Sequence, residues 1–168
     1  IVTITAKSGV GKSLFSLQLL NDLLESNKGT KGMYISLEMP KIELMQRLVS
    51  AKFNINSLEL RDKTYFKRIT TSGITLLKDF AQYIESKMFI YDRYFELTQI
   101  IRVIESIKAE TPEIKFIVVD FVNIIKLSSR GENRYFELRE IMETFKRIAI
   151  ENDVIIFTVA QNNRSGEI

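Results

Sequence analysis

Apolar residues along the chain fall into two kinds of run that alternate. Five short β-rich runs occupy residues 1–5, 33–37, 88–91, 116–119 and 154–160, and helical stretches lie between them. That alternation predicts an α/β fold with a mostly parallel central sheet and helices on both faces. Phe116-Ile117-Val118-Val119 and Val154-Ile155-Ile156-Phe157 are apolar without a break. A strand wetted on one face would alternate, so these two runs are expected to be central strands covered on both sides.

Between the strands, Leu97, Ile100, Ile101, Ile104 and Ile107 recur at the spacing of one helix face, as do Leu138, Ile141, Met142, Phe145, Ile148 and Ala149. On the second helix, Glu137, Arg139, Glu140, Glu143, Lys146 and Arg147 fill the opposite face, which reads as a solvated surface with i,i+4 ion pairs. Residues 64–86 read as helical with an interruption at Thr70-Thr71-Ser72-Gly73, as two helices joined by a turn would be. Residues 128–134, SSRGENR, make a polar glycine-containing loop without an apolar anchor.

The first apolar run leads into Ala6-Lys7-Ser8-Gly9-Val10-Gly11-Lys12-Ser13, and a helix with the stripe Leu14, Leu17, Leu20, Leu24 follows. Strand, glycine-rich turn and helix in that order are the context of a phosphate-binding P-loop. Gly9 and Gly11 let the backbone curl so that the amides of Ser8 to Ser13 face phosphate oxygens, and the helix N-terminus adds favourable partial charge. Lys12 is expected to reach the β and γ phosphates, and Ser13 to place its hydroxyl on Mg2+. The chain is therefore expected to bind a nucleoside triphosphate with magnesium.

Three further polar residues end apolar runs. Asp120 closes the run 116–119, where open α/β sheets place their ligands, and can hold the magnesium opposite Ser13 or serve as a turn residue. Glu38 follows the run 33–37 and precedes Pro40; it can polarise the water that attacks the γ phosphate or compensate the next helix. Gln161 follows the run 154–160, where an uncharged amide can report the γ phosphate or be a loop residue. The P-loop weighs toward the nucleotide role in each case.

Composition narrows the chemistry without naming a partner. At 168 residues the chain is expected to form one domain, 1–168, burying roughly two thirds of its unfolded surface. Without cysteine or histidine there is no disulfide framework, thiolate metal site or imidazole catalysis, which leaves carboxylates, hydroxyls, amides, Lys and Arg. The net charge of +3 is compatible with nucleic acid, but the basic residues are scattered among 21 acidic ones. No apolar run approaches the ~20 residues that span a bilayer, so a cytoplasmic location without a membrane partner is expected. Opening at Ile1 inside an apolar run, the chain reads as a fragment.

Taken together, AKSGVGKS, YISLEMP with Glu38, FIVVDFVNII with Asp120 and VIIFTVAQNNRSGE with Gln161 and Arg164 resemble the replicative hexameric helicases of the DnaB type across nearly the whole chain. The most specific piece is Ser36-Leu37-Glu38-Met39. The resemblance implies a RecA-like fold with the P-loop strand near the sheet centre and an ATP-hydrolysing motor that moves on single-stranded DNA and unwinds duplex. It further implies a hexameric ring, with primase and a helicase loader as partners. It makes Glu38 the residue that activates the hydrolytic water, and Gln161 the γ-phosphate sensor coupled to a DNA-facing loop from about Asn163. Arg130, Arg134 and Arg164 become candidate DNA contacts. It also implies an amino-terminal primase-contacting domain and a downstream arginine-finger segment outside these residues.

Two departures from that family's pattern are visible. Ser8-Gly9-Val10 stands where Pro-Ser-Met is usual, and Phe121-Val122-Asn123 where Tyr-Leu-Gln is usual. The first brings the P-loop toward the wider RecA-like group of recombinases and KaiC-type ATPases. A nucleotide-dependent loader or regulator without unwinding activity is a further alternative.

Overall fold

The apolar runs fold as strands, each within a few residues of its expected bounds. The computed structural model describes residues 1–62, 70–93, 96–127 and 133–162. In chain order the elements are β1 (Val2–Ala6), α1 (Lys12–Ser26), β2 (Lys31–Ser36), α2 (Lys41–Phe53), α3 (Ser57–Arg61), α4 (Thr71–Lys87), β3 (Met88–Tyr91), α5 (Leu97–Glu110), β4 (Ile114–Asp120), a 3-10 turn at Val122–Ile124, α6 (Arg134–Glu151) and β5 (Ile155–Gln161). The strands form one five-stranded sheet in the order β1-β5-β4-β2-β3. Every pairing in it is parallel.

Both faces of the sheet are covered, which is why its inner strands lack polar alternation. On one face Met33, Ile35, Ile117, Val119 and Ile156 pack with Ile100 and Ile104 of α5 and Ile141, Phe145 and Ile148 of α6. On the other, Tyr34, Phe116, Val118, Phe157 and Val159 meet Leu17, Leu20 and Leu24 of α1, Leu44 and Leu48 of α2, and Phe80 and Ile84 of α4. Successive residues of one strand thus serve opposite cores. The outer charges of α6 pair along the helix, Arg139 with Glu143 at 2.9 Å and Arg147 with Glu151 at 2.9 Å.

The interruption near residue 70 is a helix start. Thr70 accepts the Gly73 amide at 3.2 Å as the N-cap of α4; residues 64–69 of the expected preceding helix lie outside the described residues. The α2 N-terminus begins after Pro40, and Asp92, just past β3, accepts the Lys41 amide at 2.8 Å.

One expectation is corrected. Among the described residues the P-loop strand β1 lies at the sheet edge, paired only with β5. Its residues are mostly exposed, whereas β4 is buried almost throughout. Hydrophobic periodicity reports how well a strand is covered but not its rank in the sheet, and the alternating Val2-Thr3-Ile4-Thr5 is the pattern of a half-covered edge.

Helix α1 lies close on β2 because Gly32 has no side chain. A Cβ there would stand 2.8 Å from Leu20 Cδ1 and 3.3 Å from Leu24 Cδ1, both on buried leucines. Gly32→Ala is expected to lower stability by about 1–3 kcal/mol through overpacking, and Gly32→Val by more. Denaturant midpoints at constant m-value would measure it; an unchanged midpoint for both variants would show that α1 adjusts freely.

Candidate functional site

The four strand ends that sequence singled out sit at one edge of the sheet, and their register fixes how they face each other. Ser36 pairs with Asp120, Asp120 with Val159, and Ala6 with Gln161. Because all strands are parallel, each carboxyl end opens on the same side.

The turn from β1 into α1 is shaped by glycine. Gly9 has φ 80° and Gly11, the α1 N-cap, has φ 92°, a region where a side chain is strained. A Cβ at either would meet nothing within 4 Å, so backbone conformation rather than crowding requires glycine there. No side chain caps α1, which leaves its first amides without a side-chain acceptor. Lys12 bends back over the turn, donating to the carbonyls of Ala6 at 2.8 Å and Lys7 at 2.7 Å. Its ammonium is thus held at the mouth of the loop, where a phosphate would exchange places with those carbonyls.

Asp120 is buried at the end of β4 and engages only one of its oxygens. The Tyr34 hydroxyl donates to Oδ2 at 2.7 Å, and Oδ1 is buried without a partner. The Ser16 hydroxyl lies 3.0 Å from the phenol oxygen and donates to the Ser13 carbonyl at 3.1 Å. Burial pushes the Tyr34 phenol well above its ordinary value, and the Asp120 charge adds to the shift. A buried carboxylate oxygen without a partner is costly, and a divalent cation is the natural complement to it. Together with the Ser13 hydroxyl on the first turn of α1, the donor set fits Mg2+. Among the described residues no three carboxylates gather into a cage of their own.

Glu38 owes its position to Ser36. The Ser36 hydroxyl donates to the Met39 carbonyl at 2.6 Å and accepts the Met39 amide at 3.1 Å, while the Leu37 amide reaches the Asp120 carbonyl at 2.7 Å. Leu37 is buried and Glu38 exposed at the tip of this turn. No side chain caps α2, so capping does not account for Glu38. On the other flank Asn123 clamps Gln161 through both of its amide atoms. Its Oδ1 accepts the Gln161 amide at 2.8 Å and its Nδ2 donates to the Gln161 carbonyl at 3.2 Å.

Ser8, Gly9, Gly11, Lys12, Ser13, Glu38, Asp120 and Gln161 line one cavity of about 540 Å³. Val10, expected among the phosphate-binding residues, does not line it and is 64% exposed. Glu43 and Arg47 also line the cavity and were not foreseen. They stand one helical turn apart on α2, an i,i+4 pair that by itself reads as solvated surface; the usable signal was that α2 starts three residues after Glu38, past Met39 and Pro40.

Arg134 begins α6, donating to Glu137 at 2.6 Å and to the Asn123 carbonyl at 2.6 Å, so it touches the residue that clamps Gln161. Arg130, Asn163 and Arg164 lie outside the described residues.

The family model for the DnaB-like helicase C-terminal domain matches residues 1–168. The chain belongs to that family. Two solved structures share its fold: a DnaB-like replicative helicase, studied with its interactions with primase, at TM-score 0.83, and the ATPase domain of G40P at TM-score 0.84. Each is 20% identical to the chain and covers 98% of it. The chain spans 39% of the first and 57% of the second, so it corresponds to part of each. Among curated proteins none matches. The RecA-like fold is as expected, and the family match sets the chain with helicase domains rather than with the recombinases or KaiC-type ATPases that its P-loop left open.

Burial raises the Tyr34 phenol in the folded chain. The native state holds that proton more tightly than the unfolded chain, so its contribution is complete below the unfolded value and is lost as pH rises through the folded one. Tyr34→Phe should therefore lower stability at neutral pH, by leaving Asp120 unanswered, yet flatten the fall in stability above about pH 10. Thermal unfolding at stepped pH would show this; parallel curves for both proteins would place the shift elsewhere.

Proposed function

We propose that this domain is the ATP-hydrolysing motor of a replicative DNA helicase, coupling hydrolysis to translocation on single-stranded DNA and to duplex unwinding. The observation that carries the reading is the convergence of P-loop, Glu38, Asp120 and Gln161 on a single cavity in a chain of this family. Loop amides and Lys12 would hold the phosphates. Ser13 and the free Oδ1 of Asp120 would hold Mg2+, which when bound supplies charge neutralisation on the β and γ oxygens. Glu38, carried on its turn into the cavity, would take the proton of the attacking water. Gln161 would sense the γ phosphate, and Arg47 would meet its charge from α2.

In the intact assembly we expect a hexameric ring, with an arginine from the neighbouring subunit completing the site, and primase and a loader as partners in the cytoplasm. No helix among the described residues is long and apolar enough to cross a membrane. Arg130, Arg134 and Arg164 are the proposed DNA contacts. Arg134 bonds the backbone carbonyl of Asn123, whose side chain bonds the backbone of Gln161, so Asn123 links the proposed DNA side to the strand end that carries the proposed γ-phosphate sensor.

Glu38→Gln should leave ATP binding intact while lowering DNA-stimulated hydrolysis by about 10²- to 10⁴-fold. Lys12→Ala should abolish binding itself. Unwinding of a forked duplex by the intact protein, lost in both variants, tests the whole proposal. Nucleotide binding without DNA-stimulated turnover would instead mark a nucleotide-dependent loader or regulator.

A further inference from the structure

Among the described residues, Glu43 is the carboxylate of the cavity that is paired with cations. Its Oε1 lies 3.2 Å from Arg47 Nη2 and 3.6 Å from Arg61 Nη2. Arg47 lines the cavity; Arg61 is the last residue of α3, outside it, and donates through Nε to Gln46 at 3.3 Å. A single carboxylate oxygen thus serves two guanidinium groups, and neither fork obtains the two parallel bonds that make arginine–carboxylate pairing strong. All three side chains keep contact with water, with exposures of 39% for Arg47, 32% for Glu43 and 54% for Arg61, so the pairs are exchangeable.

A γ phosphate in this cavity offers Arg47 more charge and more acceptor oxygens than its half-share of Glu43. A diphosphate lacks that group. We infer that Glu43 is a positioning residue that sets the preference of the site for ATP over ADP by competing with the γ phosphate for Arg47, with Arg61 tuning the competition from α3. The inference rests on the reading of the cavity as an ATP site. Its consequence is mechanical: when Arg47 turns to the phosphate, Glu43 is left to Arg61 alone, and the α2–α3 corner tightens in step with the nucleotide state.

The three residues predict effects of opposite sign. Glu43→Gln frees Arg47 and should raise the ATP-over-ADP affinity ratio about two- to five-fold, the range of exposed ion pairs. Arg61→Ala removes the rival cation, leaves Glu43 wholly to Arg47, and should lower the ratio by a similar factor. Arg47→Gln should lower the ratio and make both other substitutions silent when combined with it. Titration of each variant with fluorescent ATP and ADP analogues reads the ratio, and retained ADP binding shows that the site is folded.

The inference is overturned if Glu43→Gln leaves the ratio unchanged. It is equally overturned if the Glu43→Gln shift persists in the Arg47→Gln background, which would make Glu43 a like charge beside the phosphates acting without Arg47. Should Glu43→Gln fail to fold, Arg61→Ala, at an exposed helix end, still decides by the sign of its effect. Undiminished ATP binding by Lys12→Ala would instead defeat the nucleotide reading itself.

Discussion

A carboxylate buried at the end of a covered strand must be answered, and Tyr34 answers only half of Asp120. This hydrogen bond ties three elements together: β2 supplies the phenol, β4 the carboxylate, and α1 the Ser16 hydroxyl behind them. It turns Oδ2 inward and leaves Oδ1 as the only buried oxygen of the pair still open to a cation. Because Ser13 lies one turn before Ser16 on α1, the interaction that orients the acid also fixes the distance to the hydroxyl expected to share its metal. Tyr34 can do this only while it stays protonated, and its burial ensures that it does.

The rest of the site hangs from the same parallel edge by backbone clamps. Ser36 folds the turn that carries Glu38, and Asn123 holds the end of β5 at Gln161. Both devices use a short polar side chain to satisfy backbone groups where a strand stops pairing, so strand termination and site construction are one event.

Much of this was legible in the sequence, and what was missed has a common cause. Unbroken apolar runs announced β4 and β5 because burial on both faces removes polar alternation, and the P-loop announced itself because glycine at positive φ leaves few alternatives. Strand rank was not legible: β1 was expected near the centre and lies at the edge among the described residues, since covering and order are separate properties. Glu43 and Arg47 were passed over because an i,i+4 ion pair on an amphipathic helix looks the same whether it faces bulk water or a nucleotide cleft. Only the three-dimensional position of the α2 N-terminus, set by the Ser36 turn and by Asp92 on the first amide, separates the two.

The site therefore combines parts of two kinds. Asp120, Tyr34 and Ser16 are buried and mutually bonded, and moving any of them would strand a polar group in the core, so that side of the cavity is rigid. Glu38, Glu43 and Arg47 stand on α2 and the turn before it, in contact with water, where ion pairs exchange at little cost. Rigid groups suit the metal and the phosphates that both nucleotides share; adjustable groups suit the γ phosphate that only one carries. The proposed motor would need this division, because its bound states would differ by that one group. The helix bearing the adjustable residues meets α3 through the Glu43–Arg61 ion pair and the Arg61–Gln46 hydrogen bond beside the buried Leu60, away from the sheet, so the change has a route out of the site.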